Sequence, residues 1–253
     1  MGQGTRFCLT RTLAHFLLLE LILVPAILYW PIFEDNVAIA KKLMPFLKGK
    51  DVMGLMEVTG VVGYVIGQHF FKGCIFVGVL AAVLFSMNAV AGEARRGTLE
   101  IWLARPLSRR RLLLERWVQG ALALVVPVFL TSLTIPWLLT YVDETMAFEP
   151  LMLSSVHASA LLLATYSLTF LCSCMGRNPT WIAAAVLAVL LAEGAMYIVE
   201  VLTNWSIFRL ADMPRYLAIY ETGALDWALL GPLFGLSLAL LAASLVVFER
   251  RVP

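Results

Sequence analysis

The fold class is decided by apolar runs such as residues 117–141, which read WVQGALALVVPVFLTSLTIPWLLTY and contain no charged side chain. A helix needs about 20 predominantly apolar residues to cross the roughly 30 Å hydrocarbon core of a bilayer. Five more runs of this kind lie at about 13–33, 70–92, 151–176, 180–203 and 226–248. The sequence therefore predicts an all-α polytopic membrane protein, with six transmembrane helices in one domain over residues 1–253.

The composition excludes a soluble globular enzyme. Hydrophobic residues make up 61% of the chain and charged residues 14%, whereas an average soluble domain has about 45–50% and about 25%. So few charges cannot cover a folded surface in water. The net charge of +2 does not favour nucleic acid as a partner, and we expect none.

Neither metal nor disulfide chemistry is indicated. The three histidines, His15, His69 and His157, do not have the spacing of metal ligands. The four cysteines lie in or beside apolar runs at unrelated spacings, which favours neither a disulfide framework nor a zinc site. We therefore expect no metal in this chain.

The distribution of basic residues predicts the orientation in the membrane. With the N-terminus inside, twelve of the 19 Lys and Arg residues fall on the inner side and seven on the outer side. Cytoplasmic loops carry an excess of Lys and Arg, so we expect both termini and the loop 93–116 to be cytoplasmic, whereas 34–69, 142–150 and 204–225 face outwards. The first run stays apolar through Phe33, which favours an uncleaved helix over a signal peptide.

Two outer segments are predicted to form helices before the second and sixth spans. Residues 52–71 are apolar enough for a seventh crossing, but a crossing there would move the arginine-rich loop 93–116 to the outer side. We expect an outer-face or partly re-entrant helix that leads into the second span. Residues 204–225 have a mixed character and predict a short interfacial helix pair, broken near Pro214.

The loop between the second and third spans predicts a short helix with one apolar face. Residues 92–111 read GEARRGTLEIWLARPLSRRR. Thr98 can cap a helix, Gly97 permits the turn before it, and Pro106 ends it because proline lacks an N–H group. The apolar face recurs at i, i+3 and i+4 and consists of Leu99, Trp102 and Leu103. Attraction of a basic loop to anionic lipid headgroups would explain the arginines, but it would not explain this face or the stop signals.

The loop resembles the signature of type-2 ATP-binding-cassette (ABC) permeases, Glu-x-x-x-Gly-Thr-Leu-Glu followed by Pro-x-Ser-Arg. The matching residues are Glu93, Gly97, Thr98, Leu99, Glu100, Pro106, Ser108 and Arg109. The layout of six spans is similar to that family too. The resemblance implies that the short helix is a coupling helix, which sits in a cleft of a separately encoded ATPase subunit and passes its motion to the membrane helices. Trp102, Leu103 and Arg105 join the same predicted interface.

The resemblance also implies the partners and the cofactors. The sequence contains no Gly-x-x-x-x-Gly-Lys-[Ser/Thr] phosphate-binding loop, so we expect no catalytic site and no cofactor in this chain, with ATP and Mg bound by the partner ATPase subunit. The family assembles two permease chains with two ATPase chains, and the second permease can be identical or related. We expect the chain to be integral to the plasma membrane, the cytoplasmic membrane of a bacterium or archaeon, among membrane lipid.

Four polar residues within the spans are candidates for a substrate path. Glu193, Tyr197 and Glu200 lie at i, i+4 and i+7, which predicts that they share one face of the fifth helix. His157 lies near the outer end of the fourth span, at a similar depth. A charged side chain inside a span costs roughly 2.5–3.5 kcal/mol on insertion scales, so these residues either line a substrate or proton route or find polar partners that specify packing.

The sequence thus predicts the permease subunit of an ABC exporter for a lipidic or amphipathic substrate. Two alternatives remain open at this point. One is a permease that does not transport but transmits ATPase motion to an outer-face partner. The other is an ion-coupled secondary transporter, which is less favoured because the sequence shows no two-fold repeat of broken helices.

Overall fold

The computed structural model describes residues 3–43, 52–100 and 107–250, and every regular element within these ranges is a helix. The α-helices are α1 (Gln3–Leu43), α2 (Val52–Val65), α3 (Gly78–Ser86), α4 (Ala91–Arg96), α5 (Arg109–Leu139), α6 (Phe148–Met175), α7 (Pro179–Ile198), α8 (Met213–Thr222) and α9 (Trp227–Arg250). A π-helical segment, Ile66–Val77, joins α2 to α3. Short 3-10 helices lie at Thr140–Val142, Thr203–Trp205 and Ile207–Ala211.

Six helical stretches of the described residues are long and apolar enough to cross a membrane. They are Cys8–Val37, Val58–Ser86, Arg109–Val142, Phe148–Met175, Pro179–Ile198 and Trp227–Arg250. The prediction of an all-α protein with six membrane-spanning helices is confirmed.

The second span begins earlier than its apolar run suggested. It covers Val58–Ser86 rather than 70–92, so most of the segment 52–71 belongs to the span. The helix is interrupted just inside the span, at Gly60, whose φ of 59° and ψ of −141° are not helical. Only glycine adopts such a backbone conformation without a steric penalty from Cβ.

The second span ends early because a serine of the fourth span binds the chain that follows it. The Ser173 hydroxyl accepts hydrogen bonds from the backbone N–H groups of Val90 and Ala91, both at 3.1 Å. It donates to the Met87 carbonyl at 2.8 Å. These bonds satisfy backbone groups that a continuing helix would have paired internally, so α3 stops at Ser86 and α4 starts at Ala91.

The second, third and fourth spans form the centre of the bundle. α1 packs mainly against α5, α9 packs mainly against α6, and α5 and α6 contact each other. The first, fifth and sixth spans leave most of their apolar surface exposed within this chain. In a membrane these surfaces face lipid or another subunit.

A buried polar cluster links the three central spans. Nε2 of His69, in the π-helical segment, lies 3.2 Å from the Ser132 hydroxyl on α5. The Ser155 hydroxyl on α6 donates to the same Ser132 oxygen at 2.8 Å. Because buried polar groups cost free energy unless they are paired, Ser132 fixes how the three spans pack together.

We expect Ser132→Ala to destabilise the protein by about 1 kcal/mol, since it removes the contacts of Ser132 with His69 and Ser155 on the two neighbouring spans. Thermal unfolding of the purified protein in detergent measures this effect. Ser244→Ala is the matched control, because the buried Ser244 hydroxyl donates to the Leu240 carbonyl of its own helix. Equal melting temperatures for the two variants would contradict the role of Ser132.

Candidate functional site

The loop after the second span is shaped by a left-handed glycine. α4 ends at Arg96, and Gly97 follows with a φ of 67° and a ψ of 16°. The backbone N–H of Thr98 then donates to the Glu93 carbonyl at 3.1 Å. A left-handed glycine is a common way to end a helix, because it pairs the last carbonyls at no steric cost. The predicted turn at Gly97 is confirmed, and it sends the chain into a new helical turn at Leu99.

Glu93 is the centre of the described part of the loop. Its Oε2 accepts a hydrogen bond from the Thr98 hydroxyl at 2.5 Å. Its Oε1 lies 3.2 Å from the Arg96 guanidinium and 3.0 Å from that of Arg116 on α5. Glu93 therefore ties the end of α4 and the turn after it to the third span near its beginning.

The surroundings of Glu93 keep its carboxylate charged. Partial burial alone would raise the pKa of Glu93, but the hydrogen bond from Thr98 and the charges of Arg116 and Arg96 together lower it below its ordinary value. At neutral pH the loop therefore contains a permanent anion between cationic partners.

The two sides of the loop are also fixed to other spans. Ser108 precedes α5 in an extended conformation, and its hydroxyl accepts from the Arg111 N–H at 3.3 Å, so the predicted cap is confirmed. Arg109 donates to the Glu249 carbonyl at 3.2 Å, and Arg110 pairs with the Glu249 carboxylate at the end of α9. These contacts join the beginning of the third span to the end of the sixth.

On the other side of the loop, Arg95 donates to the Thr180 hydroxyl at 3.0 Å. Thr180 lies in the first turn of α7. Together with the Ser173 bonds, this contact connects α4 to the ends of the fourth and fifth spans. The loop and the helices that flank it therefore contact the third, fourth, fifth and sixth spans directly.

The predicted apolar face of the short helix is only partly visible. Leu99 is buried and Glu100 is exposed. Trp102, Leu103, Arg105 and Pro106 lie outside the described residues. The coupling face formed by Leu99, Trp102 and Leu103 therefore stays a prediction.

Comparison with known families gives one match that covers almost the whole chain. The family model of the ABC-2 family transporter proteins matches residues 11–251. The chain belongs to this family. A search of curated proteins finds no match. The ABC-2 chain is therefore an integral membrane permease subunit of an ABC transporter, and the ATPase of such a transporter is a separate subunit.

The structure separates the residues that were predicted to line a substrate path. α7 ends at Ile198, and Glu200 lies in the exposed turn after it. The prediction that Glu200 shares a helical face with Glu193 and Tyr197 is therefore wrong. The helix ends because the Thr203 hydroxyl donates to the carbonyls of Tyr197 and Val199 at 2.8 and 3.1 Å, which satisfies groups at the helix end.

Glu193 and His157 of the ABC-2 permease bind residues of the segment 204–225, which was predicted to face outwards. Oε2 of Glu193 accepts from the Ile207 N–H at 2.9 Å, and its backbone carbonyl accepts from the Ser206 hydroxyl at 2.8 Å. Nε2 of the buried His157 lies 3.0 Å from the Leu210 carbonyl. The two side chains thus hold the 3-10 helix Ile207–Ala211 against the fourth and fifth spans.

The buried Tyr216 on α8 adds to this contact. Its ring packs edge-on against His157 with 5.0 Å between the ring centres and stacks on Phe70 of the second span at 5.2 Å. Burial raises the pKa of Tyr216 well above its ordinary value, so the hydroxyl stays neutral. Sequence analysis missed Tyr216, because an aromatic residue in a mixed segment gives no pattern of its own.

Sequence analysis also missed Arg116 and Ser173. Arg116 is the last of a run of arginines, and only the fold shows that it is the one that meets Glu93. Ser173 lies between two cysteines in an apolar helix, where a serine is ordinarily satisfied by its own backbone.

We expect Glu93→Gln to lower the stability by about 1 kcal/mol or more at neutral pH, since it removes the charged partner of Arg116 and Arg96. A carboxyl group with a lowered folded-state pKa contributes stability that is present above its unfolded pKa. That contribution is lost as the pH falls through the folded-state pKa. The difference in melting temperature between the wild type and Glu93→Gln should therefore be full at pH 7 and shrink below about pH 4.

Glu115→Gln is the matched control for this measurement. Glu115 pairs with Arg111 at 3.0 Å, but both side chains are largely exposed, and exposed pairs contribute little. A difference for Glu93→Gln that does not depend on pH, or one no larger than for Glu115→Gln, would contradict the role of Glu93.

Proposed function

We propose that this chain is the permease of an ABC exporter, which moves a lipidic or amphipathic substrate outwards while a separate subunit hydrolyses ATP with Mg. The observation that carries the proposal is the Glu93 junction. It connects the loop that holds the predicted coupling helix to the beginning of the third span, while Arg95 reaches the fifth span and Ser173 binds from the fourth.

Coupling in this proposal is a mechanical consequence of those contacts. When residues 98–104 dock on an ATPase subunit, a movement of that subunit displaces the short helix from Leu99 onwards. Leu99 lies two residues after the left-handed Gly97. Because the Thr98 hydroxyl is bonded to Glu93, and Glu93 to Arg116, a displacement of the short helix reaches α5 through two polar contacts. The charged junction resists being pulled apart more strongly than an apolar contact that could slide.

The surfaces of the spans support the proposed class of substrate. The first, fifth and sixth spans expose apolar side chains along most of their length. A hydrophilic polymer would find little complementary lining there, whereas a lipidic or amphipathic molecule can pass between such surfaces. The same surfaces support assembly with a second permease chain, identical or related, among membrane lipid of a bacterial or archaeal cytoplasmic membrane.

A second candidate function is mechanical transmission without transport. It is favoured by the outer segment, which Glu193 and His157 bind directly to the fifth and fourth spans. A movement of those spans would displace residues 203–216 and any outer-face protein that contacts them. An ion-coupled transporter has less support. The Glu193 carboxylate, which would be its proton site, already accepts a hydrogen bond from the backbone N–H of Ile207.

The orientation can be tested by cysteine labelling. We expect Arg177→Cys to be protected from an impermeant thiol reagent in intact cells and Glu149→Cys to be labelled, since the basic asymmetry places 93–116 and Arg177 inside. Both positions are exposed in the structure, so accessibility of the site itself is not limiting. The parent chain gives the background of the four natural cysteines. Labelling of Arg177→Cys before the cells are opened would contradict the orientation.

The coupling role can be tested by removing the predicted aromatic anchor. We expect Trp102→Ala to weaken binding of the ATPase subunit by about 2 kcal/mol, as loss of a central aromatic residue commonly does at an interface. Membrane insertion should survive, because the change lies outside the spans. Co-purification and ATPase activity of the assembled complex measure the effect.

Trp181→Ala is the matched control for Trp102→Ala. Trp181 is an exposed tryptophan in the first turn of α7, so it lies near the same end of the bundle but outside the loop. Assembly and ATPase activity should be unchanged in this variant. If Trp102→Ala behaves like Trp181→Ala, the loop is not the docking element.

A further inference from the structure

A cavity with an unusual charge lies at the end of the bundle that carries α4. Its volume is about 310 Å³, and its walls come from the beginning of α1, the end of α3 with the turn after it, α4 and α5. The residues that matter here are Arg11, Phe85, Asn88, Arg96, Arg116 and Gln119. No carboxylate is among the described residues that line it, so the cavity is cationic.

The three guanidinium groups are held in place by the protein. Arg11 donates to the Phe85 carbonyl at 2.8 Å, and its guanidinium lies over the Phe85 ring at 5.3 Å from the ring centre. Arg96 and Arg116 share the Glu93 carboxylate. Among the described ion pairs of these three side chains, Glu93 supplies the carboxylate for both Arg96 and Arg116, so the described part of the site keeps an excess of positive charge. Fixed guanidinium groups recognise phosphate strongly, because their N–H groups match two phosphate oxygens at once.

The cavity lies beside the ends of two spans, where lipid headgroups are expected. Arg11 is in the first turn of the first span, and Asn88 follows the last residue of the second span, Ser86. A volume of about 310 Å³ is at the lower end of the range for small-molecule pockets, about 300–1,000 Å³. It holds a phosphate group with a small polar substituent rather than an entire lipid.

We propose that this cavity is a binding site for a phosphate ester, and that the ester is the headgroup of an anionic phospholipid from the leaflet at this end of the bundle. The phosphate lies between Arg11 and Arg116, with the amides of Asn88 and Gln119 beside it. Because Arg116 also binds Glu93, the lipid contacts the same junction that carries the loop. Anionic lipid thereby becomes part of the structure that positions α4.

Native mass spectrometry of the full chain in detergent tests the proposal. The probes are dioleoyl phosphatidylglycerol, dioleoyl phosphatidylcholine and inorganic phosphate. We expect phosphatidylglycerol to bind more tightly than phosphatidylcholine, and Arg11→Gln to weaken it about tenfold or more, the usual effect of losing a charged hydrogen bond. The measurement uses no ATPase, so its outcome is independent of the proposed coupling.

Two further variants keep the test decisive. Gln119→Glu is nearly isosteric and places a negative charge in the cavity, so it should weaken phosphatidylglycerol binding without the packing change that Arg11→Gln brings. Arg177→Gln removes one exposed positive charge outside the cavity and should bind like the wild type. Thermal unfolding confirms that each variant is folded.

Three results would overturn the proposal. One is equal binding of phosphatidylglycerol and phosphatidylcholine to the wild type. Another is phosphatidylglycerol binding as tight as that of the wild type in folded Gln119→Glu and Arg11→Gln, or a loss of binding in Arg177→Gln as large as in those two variants. The third is binding of inorganic phosphate as tight as that of phosphatidylglycerol with the same response to the variants, which would assign the site to free phosphate instead of lipid.

Discussion

Every part of this structure depends on one constraint, which is that backbone polar groups inside a bilayer have no water to bind. A chain that crosses hydrocarbon must pair its N–H and C=O groups within itself, and a single segment can do so only as a helix. The same constraint decides where the helices stop. After Ser86, backbone groups of the chain form hydrogen bonds with the Ser173 hydroxyl. At the end of α7, the Tyr197 carbonyl accepts a hydrogen bond from the Thr203 hydroxyl.

The constraint also separates the two kinds of polar contact in the molecule. Inside the bundle, contacts are made by neutral groups such as His69, Ser132 and Ser155, which cost little to bury once they are paired. Charged pairs are concentrated beyond the apolar core, at Glu93 and at Glu249. Among the described residues, most ionic pairs therefore lie at the end of the bundle where the loop attaches, and one more joins Arg215 to Asp226.

Much of the fold could be predicted from the sequence, because an apolar run of about 20 residues has few other uses. The turn at Gly97 and the cap at Ser108 were also predictable, since each depends on local backbone geometry. The early start of the second span was not, because the bend depends on the conformation of a single residue, Gly60. The Glu93–Arg116 pair depends on a contact between two separate helices, which no spacing rule contains. The end of α7 depends on the hydroxyl of Thr203, which the helical spacing of Glu193, Tyr197 and Glu200 does not take into account.

The π-helical segment Ile66–Val77 affects how much the length of the second span can vary. A π-helical turn contains more residues than an α-helical turn, so gain or loss of one residue there can be absorbed by converting turns between the two forms. The flanking helices would then keep their orientation, and the Gly60 bend and the α4 loop would keep their partners. In an ordinary α-helix the same insertion would rotate everything beyond it and break the packing on one side. Length changes in this span should therefore be tolerated within 66–77 and harmful elsewhere.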